Sequence, residues 1–541
     1  SCHACEAACS EKNDLPPHIA FRSVGYLEGG TWPAYTRMNI SMACNHCDDP
    51  VCLKGCPTRA YTKFAEYGAV LQDPDICFGC GYCTWVCPYN APQLDTQAGH
   101  VSKCNMCVDR LEVGLKPACA TACLAGALDF GIMETTPENR EQLETHIPGF
   151  PTPDITHPNI RFQQARSLPQ ELRRPDSMPL RYERSGGHGG DYSTRVDTGR
   201  RRRDWNLKKL STRENPLVVF TLVSQAVIGA FLLLFIGPLP GLDTLTLSQH
   251  PVALPLSLFA MIGIQTLALV LSTLHLGRPH RFYRAFNNLR WSPVSREVAG
   301  IALFYNFLGA WTVLSVLPML FGWLPAGVVS ALTAFCGWGA AISGIAALYF
   351  MHRIYRIEAR PFWNHWQVLT SFYGSMLSLG TLLVVLVYVP LQHFSGLPWN
   401  DTAGMLAGIV LIGLILEAIG HYYHARDLKA GSGEAQASYY EQVTTFGKTW
   451  LARNAGLGLA MLLALGIAMA SPAGLPGLLL WVALGTLAVA TAITGRALFY
   501  ALVIPTTMPG AFFWRNRGFE EHARESGLAE MPQVGVLPEC H

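Results

Sequence analysis

The sequence predicts two structural classes in one chain: a cysteine-rich N-terminal domain, and after it an all-α bundle of eight membrane-crossing helices. Three observations carry this. Fifteen of the seventeen cysteines fall between Cys2 and Cys123. Residues 1–214 are polar and punctuated by proline, whereas residues 215–505 form a series of apolar runs with short polar loops. Over 541 residues the chain is 50% hydrophobic and only 14% charged, low for a soluble protein of this length. The net charge of +2 says little, because the charges are unevenly spread.

The N-terminal cysteines form four groups. The opening SCHACEAACSEKN places Cys2, Cys5 and Cys9 in the spacing C-x2-C-x3-C. Cys44, Cys47, Cys52 and Cys56 follow in CNHCDDPVCLKGCP, and Cys77, Cys80, Cys83 and Cys87 in CFGCGYCTWVCP. The last group, CNMCVDRLEVGLKPACATAC, holds Cys104, Cys107, Cys119 and Cys123. A cubane iron–sulfur cluster needs four thiolates: three closely spaced ones wrap one face, and a fourth, often followed by Pro, reaches a neighbouring cluster. Pro57 and Pro88 occupy that following position. Zinc is the competing reading, but zinc sites show two separated pairs and not triplets with a trailing cysteine.

Four cubanes need sixteen ligands and this region supplies fifteen. One account places the sixteenth cysteine two positions before Ser1. The other is a three-cysteine site that holds a three-iron cluster or uses His3.

Residues 131–214 show no sustained helical or strand periodicity and are rich in Pro, Gly and Arg. They are expected to mix solvated connector with a strap lying on a partner subunit. The basic cluster Arg200, Arg201, Arg202, Arg203, Lys208 and Lys209 precedes the first apolar run. Beside a membrane segment such a cluster reads as a lipid-facing topology signal and not as a nucleic-acid site.

Runs of about 20 apolar residues cross a bilayer. Eight are expected, near 216–236, 252–274, 298–319, 326–350, 367–389, 403–423, 454–470 and 478–503. The loops alternate in charge. Those near 237–251, 320–325, 390–402 and 471–477 hold no Lys or Arg. The others carry Arg278, Arg281, Arg284, Arg290 and Arg296, then Arg353, Arg356 and Arg360, then Arg426, Lys429, Lys448 and Arg453. Residues 506–541 add Arg515, Arg517 and Arg524 as a tail. Positive loops stay in the cytoplasm, which predicts an inner-membrane protein with both ends and the cysteine domain on the cytoplasmic face. That location suits cysteines used as metal ligands, since disulfides are rare there.

The four groups in this order resemble the four-cluster electron-transfer subunit of the dimethyl sulfoxide reductase family of molybdenum enzymes, over residues 1 to about 130. The stretches ENPLVVFTLVSQAVIGAF, LSTLHLGRPHRFYRAFNNLRWSPVSREV and GRALFYAL resemble the family's eight-helix anchor. The implied fold is an α+β ferredoxin-like double-dicluster domain followed by an all-α eight-helix transmembrane bundle, two usually separate subunits fused. Implied cofactors are four [4Fe–4S] clusters and a quinone (ubiquinone or menaquinone), with no haem. One cluster takes Cys2, Cys5, Cys123 and the absent cysteine; its neighbour takes Cys104, Cys107, Cys119 and Cys9. A third takes Cys44, Cys47, Cys52 and Cys87, and the last Cys77, Cys80, Cys83 and Cys56. The first-group cluster faces the molybdenum subunit and the third-group cluster faces the membrane.

Quinone chemistry moves two electrons and two protons, so its site needs hydrogen-bond donors and a proton carrier. His275 matches the family's LHLG histidine and Glu297 its acidic position; an imidazole and a carboxylate can both shuttle protons. Arg278 is expected to anchor the pocket, with Arg281 more an ordinary inside-loop charge, and Trp291 to line the pocket or join the interfacial aromatic belt. Glu417 and Arg496 are intramembrane charges, which usually pair; they are expected near each other or near the pocket. His352, His421 and His424 lie at helix ends and not as a facing pair, which disfavours haem ligation.

No motif for a molybdenum cofactor is present, so no catalytic residue is assigned to this chain and substrate chemistry requires a molybdenum subunit. The expected function is an electron conduit between that subunit, the quinone pool and the surrounding lipids. Sulfite is the expected substrate, with phenylacetyl-CoA or dimethyl sulfoxide-type sulfur compounds as alternatives. An ion-translocating, polysulfide reductase-like module would need protonatable groups across the whole bilayer, and the outer half of the spans is almost bare of them. A merely tethered ferredoxin would need one helix, not eight.

Overall fold

The computed structural model describes residues 2–132, 148–160, 162, 168–174, 178–185, 192–199, 202–238 and 251–506. Arg200, Arg201 and the tail charges Arg515, Arg517 and Arg524 lie outside the described residues.

The N-terminal domain is small-element α+β. Helix α1 (Ala4–Asn13) precedes an antiparallel pair, β1 (Arg22–Gly29) and β2 (Thr36–Ala43), in register from Arg22↔Ala43 to Gly29↔Thr36. Two short units then repeat one plan. Helix α2 (Val51–Gly55) leads to the hairpin β3 (Tyr61–Lys63) and β4 (Val70–Gln72), and helix α3 (Tyr82–Val86) leads to β5 (Gln93–Asp95) and β6 (His100–Ser102). Two single-turn helices, α4 (Val108–Leu111) and α5 (Ala118–Thr121), close the cysteine region, with α5 packed on α1.

The stretch expected as connector contributes more than a connector. It supplies β7 (Glu171–Arg173), β8 (Leu180–Arg184) and β9 (Tyr192–Val196), which extend the first pair into a five-stranded sheet of order β2-β1-β7-β8-β9. Leu27, Ile40, Met42, Leu172 and Tyr182 share one buried core there. Strands of three to five residues are too short to show a period-2 pattern; only docking on β1 defines them.

All eight expected spans are present as helices long and apolar enough to cross a membrane. They are α6 (Asn215–Ile236), α7 (Ala253–Leu274), α8 (Pro293–Val316), α9 (Ala326–Ile354), α10 (Gln367–Phe394), α11 (Asn400–Ala430), α13 (Gly447–Ala470) and α14 (Gly474–Ala501). A further surface helix, α12 (Gly433–Val443), joins α11 to α13, and its Ala437 packs against Leu180 and Ile504. At the centre α6 and α10 cross backbone to backbone. A Cβ on Gly229 would lie 1.8 Å from the Met376 carbonyl oxygen, so only glycine permits the crossing. Small residues at close crossings are how helices pack in lipid, where apolar burial no longer drives association.

Several helices run past their apolar runs. The seventh span begins at Gly447 and not near 454, which carries Arg453 into the bundle.

Candidate functional site

The cysteines gather into sets. Cys44, Cys47, Cys52 and Cys87 lie within electrostatic range of one another. So do Cys56, Cys77, Cys80 and Cys83. Cys9 lies near Cys107 and Cys119. Cys2 is exposed, and the buried Cys5 meets the Ser41 hydroxyl at 3.3 Å.

Burial pushes the bare thiols of Cys9 and Cys87 up to about 11 and that of Cys104 to about 12. Uncoordinated, they would stay protonated; a metal centre is what makes such sites thiolate. Backbone N–H groups already point at the sulfurs: Gly79 donates to Cys77, Ala60 to Cys56 and Met106 to Cys104, each at 3.4 Å. Hydrogen bonds of this kind tune iron–sulfur potentials. Among the described residues no three His, Cys, Asp or Glu side chains close to single-ion spacing.

Lys103 is a functional candidate that spacing did not reveal. It is buried between the second and fourth groups, and its Nζ donates to Val70 O, to Cys104 O at 2.9 Å and to Cys44 Sγ at 3.6 Å.

The third cysteine group docks on the membrane bundle. Gly277 and Arg278, just after α7, donate their amides to the carbonyls of Gly79 and Phe78 at 3.2 and 3.0 Å. A Cβ on Gly277 would fall 2.5 Å from the Gly99 carbonyl oxygen. Asn288 donates to Cys56 O at 2.8 Å, Ser292 to Gly55 O at 2.7 Å, and Tyr82 to Ile354 O at 3.1 Å. Arg360, buried in the α9–α10 loop, donates to the α3 carbonyls of Thr84 and Trp85 at 2.8 and 3.0 Å.

Arg278 belongs to this joint. Its guanidinium donates to Pro74 O and, at 3.2 Å, to Ala98 O, with His100 Nδ1 at the same distance. It therefore binds the cysteine domain, and Arg281 and Arg284 likewise donate to Asp75 O. Trp291 is exposed, with the Arg290 guanidinium 5.1 Å from its ring centroid.

His275 caps α7 two residues before the Gly277 contact. Its Nδ1 is buried without a hydrogen-bond partner among the described residues; the Ser272 carbonyl is near without completing a bond. Burial pushes the imidazole down to about 4, so it is neutral. Glu297, in the first turns of α8, is buried, has no hydrogen bond among the described residues, and lies within electrostatic range of Tyr82, Tyr355 and Tyr500. The hydroxyls of Tyr355 and Tyr500 are 2.5 Å apart.

Glu417 and Arg496 line a cavity between α10, α11, α13 and α14, and His275 is not among its lining residues. They interact electrostatically but form no direct ion pair. Glu417 Oε1 accepts from Ser375 and Ser378 at 3.1 and 3.2 Å, while Arg496 donates to Gln225 Oε1 at 3.2 Å and stacks 4.1 Å from the Phe372 centroid. His421 accepts from Gln367 at 3.1 Å, and His424 bonds the Phe362 carbonyl at 2.8 Å.

Residues 210–502, more than half of the sequence, match the family described as DMSO reductase anchor subunit (DmsC). This protein belongs to the dimethyl sulfoxide reductase anchor family. The family's anchor here follows an iron–sulfur domain in the same chain, since residues 36–133 match the 4Fe-4S dicluster domain. The protein is similar to the B chain of the anaerobic dimethyl sulfoxide reductase of Escherichia coli (strain K12), 40% identical over 167 residues, 29% of this chain and 80% of that one. It is similar to the B subunit of the sulfite dehydrogenase of Allochromatium vinosum, 38% identical over 151 residues, 24% of this chain and 63% of that one. It is also similar to the iron–sulfur subunit of the nitrate-inducible formate dehydrogenase of E. coli (strain K12), 37% identical over 158 residues, 26% and 53% of the two chains. The architecture is thus that of an electron-transfer module and a membrane anchor of the dimethyl sulfoxide reductase family, built as one polypeptide.

Proposed function

We propose that this chain passes electrons through four [4Fe–4S] clusters between a catalytic molybdenum subunit and the membrane quinone pool, with the cluster domain on the cytoplasmic face. The ligand sets are those expected from the cysteine groups; two of them match thiols that interact in the fold, and a third is matched in part, through Cys9, Cys107 and Cys119. The observation that carries the reading is the joint at Gly79 and Gly277. It seats the third cysteine group on the bundle two residues from His275, which favours a quinone site at that imidazole with the buried Glu297 as its carboxylate. His275 hydrogen-bonds one quinone carbonyl, Glu297 exchanges protons, and Arg278 holds the cluster domain in place. When bound, the clusters supply one-electron transfer. The protein shields them, donates N–H groups to their sulfurs and fixes their distance to the bundle.

The chemistry of the missing partner is the oxidation of a cytoplasmic substrate, with sulfite favoured by the positive loop face and by the likeness to the sulfite dehydrogenase protein. The test is the whole complex in nanodiscs. After reduction with dithionite, added ubiquinone or menaquinone should reoxidise the clusters, giving one quinol per two electrons. A molybdenum-containing subunit should co-purify, and sulfite should reduce the clusters through it. Clusters that quinone cannot reoxidise overturn the quinone role; reduction by another substrate and not sulfite overturns the choice of sulfite.

A further inference from the structure

Two faces of the bundle are chemically uneven. The outer end carries a large apolar groove, whereas the end beneath the cluster domain holds a small polar cavity of about 40 Å³. A cavity of that volume has room for about three waters.

Its wall is built for occupants. Arg453 is buried, lines the cavity, and has two donor nitrogens, Nε and Nη1, without partners among the described residues; the Gln367 side-chain oxygen is likewise unpartnered there. Buried polar atoms are seldom left this way, and ordered water is the usual answer in a polar site with room. The charged groups facing Glu417 come from three helices: His421 from its own, Arg453 from α13 and Arg496 from α14.

The cavity also has a polar way in and a polar way out. At the surface end, Asp427 is partly exposed and lies 3.1 Å from His365 Nε2. The other His365 nitrogen accepts the Gln367 backbone N–H at 3.0 Å, and the Gln367 side chain donates to His421 at 3.1 Å. Asp427 to Glu417 is ten residues of one helix, about 15 Å along its axis. At the inner end, Arg496 lies within electrostatic range of the Tyr355–Tyr500 hydroxyl pair, which in turn is in range of Glu297.

We infer that this cavity is a hydrated proton relay, with Asp427 and His365 as its entrance, Glu417 as its internal carrier, and the Tyr355–Tyr500 pair as its delivery to Glu297. It rests on the proposed quinone site. Each quinone reduced there takes two electrons from the clusters and two protons along this route; quinol oxidation sends both pairs back. Arg453 and Arg496 carry no protons themselves. They hold the water that does and keep Glu417 within a polar shell.

The experiment uses the intact complex in nanodiscs, reduced by dithionite and mixed with quinone in H₂O or D₂O. In Glu417→Gln the quinone-dependent reoxidation of the clusters should slow tenfold or more, as the loss of a proton relay does, with a larger solvent isotope effect. Its KM for quinone and its reduction by dithionite should stay within twofold of the parent. Asp427→Asn, a surface change that leaves packing alone, should slow the same phase and be rescued by small weak acids. A carboxylic C=O infrared band that responds to quinone turnover should be present in the parent and absent in Glu417→Gln. Unaltered rates in both variants overturn the relay while leaving the quinone site standing. A raised KM with unchanged maximal rate in Glu417→Gln also overturns it, since the cavity would then bind quinone. If the parent itself shows no quinone-dependent phase, relay and quinone site fall together.

Discussion

Lys103 in the cluster domain and Arg453 in the bundle are both buried cations, and among the described residues neither closes an ion pair with a carboxylate. They differ in what their nitrogens do. The Lys103 ammonium has three donors, and all three are placed, on Val70 O, Cys104 O and Cys44 Sγ. Arg453 keeps two donors unpartnered on a polar cavity. A buried cation with every donor placed acts through its charge alone, on fixed neighbours. One with donors to spare is a holder for something that comes and goes. Electrons need the first kind of site and protons the second, and the protein keeps them in separate domains.

The largest expected effect comes from parting the two regions. Gly277→Val puts a side chain where the Gly99 carbonyl already stands. Overpacking there costs about 1–3 kcal/mol, and the third cysteine group is lifted off the bundle. Quinone-dependent reoxidation of the clusters should fall on the order of 100-fold, the scale set by ångström misplacement of reacting groups. Dithionite should still reduce the clusters. Stopped-flow absorbance separates the two, and an unchanged quinone rate would mean that electrons leave by another path.

Next in size is Arg453→Met. It strips the cavity of its free donors and leaves Glu417 one cation fewer, at a cost of about 1–3 kcal/mol. The thermal midpoint of the purified complex should drop and the deuterium sensitivity of quinone turnover should rise. Arg453→Lys, which keeps the charge and loses the planar fork, should fall between. If the lysine variant equals the parent, charge alone matters and the contrast with Lys103 disappears.

The cysteine groups and the eight spans were legible because each is local: every ligand group falls within 20 residues, and a span is one apolar run. What the sequence concealed is assembled from distant parts. Strands β7 to β9 are too short for periodicity and exist through β1. The cavity draws Gln367, Glu417, Arg453 and Arg496 from four helices, so no window contains it. Arg453 looked like a loop charge because its helix starts earlier than its apolar run. Glu417 and Arg496 stood out as charges within spans, yet their expected pairing took the form of a shared cavity and not an ion pair. Arg278 read as a pocket anchor because position along the sequence cannot show which carbonyls a guanidinium will meet.

A smaller effect is expected from Lys103→Met. A buried positive charge favours the reduced cluster, which carries one more negative charge. Removing it should lower the midpoint potentials of the clusters held by the second and fourth groups, more for the Cys44 site that Nζ touches. Potentiometric EPR titration checks this, and a potential that stays put would show that its backbone contacts matter more than its charge.

At neutral pH the smallest effect is at the joint itself, a pH dependence that opens only below about pH 6.5. His275 is held to about 4 by burial, against an ordinary value near 6.5. The folded protein therefore binds fewer protons here than the unfolded state does at pH values from 4 to 6.5, and stability rises with pH in that window. Above pH 6.5 the contribution is fully present; as pH falls from 6.5 to 4 it is lost, by at most about 3 kcal/mol. Thermal midpoints of the parent and of His275→Gln should run parallel above pH 6.5, and the parent should fall more steeply below it. Bound quinone sharpens the test. If the neutral imidazole holds a quinone carbonyl, quinone should stabilise the parent at pH 7 and progressively less toward pH 5, while His275→Gln gains the same small amount at both. Parallel curves down to pH 4 would place His275 in water, where an imidazole at the end of α7 is only a helix-end residue and the joint beside it carries electrons without it.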